Sequence, residues 1–197
     1  AREMEQVKLE LDEYKRIANT DPLTRLANRR AFDDVLANIY NEQRNAMYYA
    51  LIVADIDHFK KFNDTFGHPV GDRVLGVVAA VMKSTLRKDV FISRTGGEEF
   101  AVILQGTSLE ITMEIAERLR TAVESTPLRN QKTGVNYGPI TLSLGVCMAS
   151  DADSAEELYN KADVALYTAK HSGRNRSQLY KPELNQEFEK NWAIYKT

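Results

Sequence analysis

Two acidic pairs are the residues of this sequence best suited to chemistry. Asp55-Ile56-Asp57 follows directly on the apolar run of residues 48–54, and Glu98-Glu99 follows Gly96-Gly97. A strand ending at Ala54 puts Asp55 at its carboxyl end, where α/β sheets commonly hold ligands. Ionised carboxylates there suit a hard cation, and magnesium typically takes one or two carboxylates together with substrate phosphates. Asp55 alone is too few, and Glu98-Glu99 could supply the rest. Taken singly, an Asp-x-Asp at a strand end also reads as a turn or helix-cap pair, and Glu-Glu after a turn as solvated surface. Joining them is favoured because both lie beside the strands expected to be central, and like charges brought together need a cation to compensate them. His58, His68 and His171 have no ligand spacing with Cys147, so a zinc site is not expected.

The elements that must position these groups are readable in outline. Residues 48–54 form a continuous β-favouring run, as in a strand buried on both faces. Residues 90–94 and 100–104 flank Gly96-Gly97, which predicts a tight type I′ hairpin with both glycines at positive φ. Asn28 is placed to cap a helix running to about Glu42 and burying Phe32, Val35, Leu36 and Ile39. Gly71 and Asp72 are expected to precede a helix over residues 73–86, which would make Asp72 an N-cap in the plainest reading. Helices are predicted over residues 109–125 and 154–169, and strands over 140–148 and 178–180. This alternation implies an α/β or α+β layered domain.

At the N-terminus, Met4, Val7, Leu11, Tyr14 and Ala18 recur at intervals of 3, 4, 3 and 4 with charged residues between them. That heptad seam predicts a helix that pairs with a second copy; the alternative is an amphipathic helix packed on its own domain. Pro22 disfavours helix at Asp21, so a hinge or linker is expected to end the helix there. The tail from Lys181 is polar, with Phe188, Trp192 and Tyr195 at roughly helical spacing, and no chemistry attaches to it.

With 197 residues, 43% hydrophobic and 27% charged, the chain has the make-up of one soluble domain with short extensions. Its formal charge of -2 offers no global attraction to nucleic acid or to a membrane, so neither is expected as a partner and phosphate binding must be local. A single cysteine excludes an intrachain disulfide, which makes a cytoplasmic setting the default. No uncharged apolar run approaches the roughly 18 residues of a membrane span. A chain that begins inside a helical pattern reads as part of something longer.

Arg94-Thr95-Gly96-Gly97-Glu98-Glu99-Phe100 closely resembles the signature of the GGDEF family of diguanylate cyclases, in its Gly-Gly-Glu-Glu-Phe form. Asp21-Pro22-Leu23-Thr24 with Leu26 and Asn28-Arg29-Arg30 is similar to the family's opening motif, although Arg25 and Ala27 stand where Gly and Pro are frequent. Asp55-Ile56-Asp57-His58-Phe59-Lys60-Lys61-Phe62-Asn63-Asp64, with Phe66-Gly67-His68 and Gly71-Asp72, resembles its metal and base segment. Thr141-Leu142-Ser143-Leu144-Gly145-Val146 and Ala162-Asp163-Val164-Ala165-Leu166-Tyr167-Thr168-Ala169-Lys170, followed by Gly173-Arg174-Asn175, resemble two late motifs.

The resemblance implies a palm-like nucleotidyl cyclase domain over residues 20–180, with a central, mainly antiparallel sheet flanked by helices. A signalling or coiled-coil helix would occupy residues 1–19 and a tail residues 181–197. It further implies that Asp55, Glu98 and the Ile56 carbonyl bind two magnesium ions per GTP, with manganese as a substitute, and that Glu99 assists metal binding or proton removal. Lys60, Lys170 and Arg174 would carry the triphosphate, Lys60 as part of the catalytic set. Asn63 and Asp72 would read guanine, beside Phe59, and Gly96-Gly97 would admit the second nucleotide. The implied product is cyclic di-GMP, made from two GTP in a homodimer under a sensor domain outside this chain. The competing readings are a silent GTP- or cyclic di-GMP-binding sensor and a pure dimerisation module; Glu98, Glu99, Lys60 and Asp72 are all retained, which favours the enzyme.

One family motif is broken. In the expected Arg-x-x-Asp product-inhibition site Arg87 fits, but Val90 takes the aspartate's place, with Asp89 one position early and expected on the opposite side of the strand. With Arg118 as the second basic residue, only a weak product-inhibition site is implied.

Overall fold

In the computed structural model, which describes residues 1–41 and 46–195, the apolar run is strand β1 (Tyr49–Ile56), buried from Ala50 onward. The strand sits in the middle of the sheet. Before it come helices α1 (Arg2–Asn19) and α2 (Arg29–Asn41), and after it α3 (Phe59–Phe66) and α4 (His68–Thr85). Strands β2 (Phe91–Arg94) and β3 (Glu99–Gln105) follow, then α5 (Leu109–Glu124), β4 (Leu142–Met148), α6 (Ala155–His171), β5 (Arg176–Leu179) and α7 (Leu184–Tyr195). β3 and β4 pair antiparallel with β1 on its two sides, β2 extends the sheet antiparallel beyond β3, and β5 joins β4 in parallel. The order β2-β3-β1-β4-β5 is the mainly antiparallel, palm-like sheet that the family resemblance implies.

Side chains alternate across a strand, so β1 feeds two cores. Ala50, Ile52, Ala54 and Ile56 pack with α3, α4 and α5, whereas Leu51 and Val53 pack with α2 and α6. Asp55 continues the second series and therefore faces the α6 layer. α6 approaches β4 closely at Gly145, where an added Cβ would lie 2.2 Å from the Ala162 carbonyl oxygen. Burial of Ala162, Ala165 and Ala169 against the sheet is what permits that approach. Ser154 caps the helix by accepting from the Glu157 amide at 3.1 Å. α7 leans on the same layer, with Phe188 edge-on to Tyr167 at 5.1 Å.

Four expectations need correction. α4 begins at His68, not Arg73, because the positive φ of Gly67 (88°) makes the break and Pro69 opens the helix; Gly71 and Asp72 lie inside it, so Asp72 is no N-cap. The Gly96-Gly97 hairpin is not a type I′ turn, since neither glycine has positive φ among the described residues. Instead the Thr95 and Gly96 amides both donate to the Glu99 carbonyl, closing a wider loop over Gly96, Gly97 and Glu98. The segment around Pro22 is no free linker: Ala27 bridges both Thr20 and Ser93, and the Arg94 amide donates to the Ala27 carbonyl at 2.9 Å. Arg25 there has φ 63°, which explains why glycine is frequent at that motif position. Asp89 lies not on the strand but in the exposed turn before β2, 3.4 Å from Arg87. The expected helix end at Glu42 falls outside the described residues.

Asn28 caps α2 as expected, accepting from the Ala31 amide at 3.0 Å. α1 buries none of its residues, and Met4, Val7, Leu11 and Tyr14 are all exposed. In this structure the seam does not pack on its own domain. Among the described residues no helix is long and apolar enough to cross a membrane.

Candidate active site

The register of β1 against β3 sets Asp55 opposite Glu99, and the Ile56 amide donates to the Glu98 carbonyl at 3.2 Å. Both acidic pairs therefore meet at one end of the central strands. Lys170, on the last turn of α6, donates to Asp55 Oδ2 at 2.6 Å. Burial pushes the Asp55 carboxyl up to about 7; the Lys170 ammonium works against that rise, and the neighbouring Glu98 carboxylate adds to it. A buried carboxylate beside another, with a single lysine as counter-charge, is under-compensated.

That imbalance fits a bound divalent cation. Among the described residues no group of three or more His, Cys, Asp or Glu side chains stands ready to hold a metal. Magnesium needs only one or two carboxylates when phosphate oxygens complete its shell, so Asp55, Glu98 and the Ile56 carbonyl are a sufficient protein set. Among the described residues Lys170 is the cation bonded to Asp55.

Glu99 is held differently. Its Oε1 accepts from the Tyr159 hydroxyl at 2.5 Å and from Thr95 Oγ1 at 2.9 Å. Burial first, and the Glu99 carboxylate second, push the Tyr159 phenol far up, so it remains a donor. Asp163, one turn further along α6, is raised by burial and by the charge of Glu99. Tyr159 and Thr95 carried no role in the sequence reading. A signal existed: Tyr159, Asp163 and Lys170 are spaced 4 and 7 along one helix, hence on one face.

The loop itself is fixed from outside. The Arg94 guanidinium donates to the Gly97 carbonyl from Nη2 at 2.8 Å and from Nε at 3.1 Å, and through Nη1 to Asp21 at 3.2 Å. Asp21 also accepts from the Thr24 amide and hydroxyl at 2.9 and 2.6 Å, so the opening motif and the signature form one unit. Asp57 is a structural latch, buried and accepting from Thr141 at 2.7 Å, Ser143 at 2.6 Å and the Asn175 amide at 3.0 Å. That last bond holds the loop carrying Arg174, whose φ of 61° marks a tight corner.

Asn63 on α3 rests against Gly71 of α4: a Cβ at Gly71 would fall 1.8 Å from Asn63 Oδ1. Asn63 Oδ1 is buried without a hydrogen-bond partner, an acceptor waiting for a donor. Asp72 is exposed nearby in sequence on α4. Phe59 is 5% exposed and packs in the core, with its ring tip against Gly71. Lys60 is exposed and makes no ion pair among the described residues, so the structure joins Lys170, not Lys60, to Asp55. Arg87 and Arg118 line, with Asp89 and Val90, one cavity of about 480 Å³.

Comparison with known proteins agrees with this geometry. The family described as Diguanylate cyclase, GGDEF domain, matches residues 18–176. Diguanylate cyclase VdcA of Vibrio cholerae is 40% identical over 175 residues, 88% of this chain and 50% of that protein. Diguanylate cyclase DgcP of Pseudomonas aeruginosa is 40% identical over 170 residues, 86% of this chain and 25% of that one. The chain thus spans between a quarter and half the length of these curated relatives. The solved coiled coil and GGDEF domain of DgcB from Caulobacter crescentus, in complex with c-di-GMP, superposes with a TM-score of 0.85 at 38% identity, covering 90% of this chain and 94% of that one. A match that takes in most of the sheet and all of the carboxylates leaves one conclusion: the chain belongs to the diguanylate cyclase GGDEF domain family.

Proposed function

We propose that this chain condenses two GTP into cyclic di-GMP with release of two pyrophosphates. The observation that carries the reading is the under-compensated Asp55–Glu98 pair beside Lys170; the unpartnered buried amide oxygen of Asn63 adds an acceptor for the base. Asp55, Glu98 and the Ile56 carbonyl would hold magnesium, or manganese in its place, which when bound would supply positive charge at the α-phosphate and the departing pyrophosphate. Lys170 exchanges Asp55 for triphosphate oxygens, and Arg174 adds a planar fork. Glu99, with Oε1 already hydrogen-bonded, offers Oε2 to the proton of the attacking 3′-hydroxyl. The new bond joins that oxygen to the α-phosphorus of the facing GTP, and the bond to pyrophosphate breaks. Asn63 Oδ1 and Asp72 accept from the N1 and N2 protons of guanine, a pattern that adenine lacks. Nothing lies within 4 Å of where a Gly97 side chain would be, so the loop leaves room for the facing nucleotide.

One site binds one GTP, so two copies must face each other in a twofold homodimer. The exposed seam of α1 supports pairing there, under a sensor outside residues 1–197 in the cytoplasm. Retention of Asp55, Glu98, Glu99 and Lys170 in bonded positions disfavours the silent-sensor reading. Arg87 and Arg118 would give weak product binding, without the missing aspartate at Val90.

Pyrophosphate release tests the reading. With GTP and magnesium, the rate per chain should rise with protein concentration until pairing saturates, and ATP should give none; a rate per chain independent of concentration would exclude the paired mechanism. Gly71→Ala is expected to displace Asn63 and weaken GTP binding about tenfold, through lost hydrogen bonds to the base. Isothermal titration should show the same loss in Asn63→Ala and no further loss in the double variant.

A further inference from the structure

Tyr159 is half-buried, and two side chains of α2 pack against its ring. The Arg29 guanidinium sits 4.9 Å from the ring centroid, and Phe32 meets the ring edge-on at 5.9 Å. Both come from the first turn of α2, directly after Asn28, whose side chain and amide bond to the Ala18 and Asn19 carbonyls at the end of α1. Arg29 is itself held by Asp33 at 3.0 Å. At the other end the hydroxyl reaches Glu99 Oε1 at 2.5 Å, and Thr95 shares the same oxygen. No protein donor takes Oε2 among the described residues. A carboxylate bonded through one oxygen is fixed in rotation, and its second oxygen points one way.

We propose that Tyr159 is a positioning residue for Glu99, fixing Oε1 so that Oε2 is presented to the cleft, and that Arg29 braces the tyrosine ring from α2. The inference rests on the reading of Glu99 as a working carboxylate of the cyclase. Tyr159 touches neither substrate nor cation; it acts through Glu99. Free rotation of Glu99 would leave guanine recognition at Asn63 and Asp72 intact and would cost both the reacting geometry and the support that Oε2 gives the cation. The same contacts link the end of α1 to Glu99.

The test compares Tyr159→Phe, which deletes the hydroxyl alone, with Tyr40→Phe, which deletes a half-buried hydroxyl bonded to the Ala149 carbonyl away from the site. In the full chain, Tyr159→Phe is expected to lower kcat for cyclic di-GMP by about tenfold with KM for GTP unchanged, the pattern of an interaction made only in the transition state. Arg29→Gln should lower kcat by a smaller factor, and Tyr40→Phe should leave both constants alone. Manganese binding in the presence of an unreactive GTP analogue, read by electron paramagnetic resonance, gives a second measure, with several-fold weaker binding expected in Tyr159→Phe. Equal kcat in Tyr159→Phe and the parent, or a rise in KM with kcat intact, overturns the assignment. If the parent makes no cyclic dinucleotide, the cyclase reading itself fails; the manganese measurement then judges Tyr159 alone, and equal affinity overturns its role.

Discussion

Asp55→Asn should abolish cyclic di-GMP formation and at the same time make the nucleotide-free protein more stable. On the proposed reading Asp55 would hold the cation, so its loss would remove the main charge stabilisation at the α-phosphate, and a fall of about a thousandfold is expected in activity. Glu98→Ala should match it. The stability gain follows from burial. In the folded chain Asp55 holds its proton up to about 7, against an ordinary value of 3.8. Between those values the folded state binds more protons than the unfolded one, so stability falls as pH rises through the window and stays reduced above it. Asparagine has no such cost. At pH 8 the variant should therefore be more stable by on the order of 2 kcal/mol, or about 5 °C in Tm, with the advantage vanishing near pH 4. Thermal melts at the two pH values check this. Equal melting temperatures at pH 8 would mean that Asp55 is not under-compensated in the absence of cation.

The second large effect is expected far from any charge. Gly145→Ala places a methyl 2.2 Å from the Ala162 oxygen and 2.4 Å from the Leu166 nitrogen, both backbone atoms of α6. Neither can rotate away, so the whole helix must lift from β4 and expose Leu158, Ala162 and Leu166. Overpacking of this kind should cost about 3 kcal/mol or more, some 10 °C in Tm. Lys170 and Tyr159 ride on the same helix, so activity should fall with stability. Gly76→Ala is the internal comparison: an added Cβ there meets nothing within 4 Å, inside α4. Helix propensity alone then favours alanine by about 1 kcal/mol. A Gly145→Ala protein melting within 2 °C of the parent, roughly the shift of half a kcal/mol, would contradict the tight α6–β4 contact.

Much of the site was legible because it is built on period-2 strands. The acidic pairs directly abut two buried apolar runs, and adjacency in sequence put Asp55 and Glu99 in register across β1 and β3. What stayed hidden required contacts between distant segments. Arg94 and Asp21 lie 73 residues apart, and nothing local announces that they bond. Tyr159 reads as one more half-apolar helix residue until α6 is laid on the sheet. The start of α4 was misplaced because glycine usually ends helices, whereas Gly71 is kept inside one to leave room for Asn63. Likewise Gly96-Gly97 signalled a turn correctly, but the turn type was set by the Thr95 and Gly96 amides converging on the Glu99 carbonyl.

The measurement closest to the central claim is identification of the product. The purified chain, at high concentration with GTP and magnesium, is analysed by liquid chromatography and mass spectrometry beside Glu98→Ala, Glu99→Ala and an ATP control. The account predicts cyclic di-GMP from the parent with GTP, none with ATP, and none from the Glu98 variant. Bound GTP without any cyclic dinucleotide, even when a dimerising fusion enforces pairing, would contradict it and leave a nucleotide-binding sensor in its place.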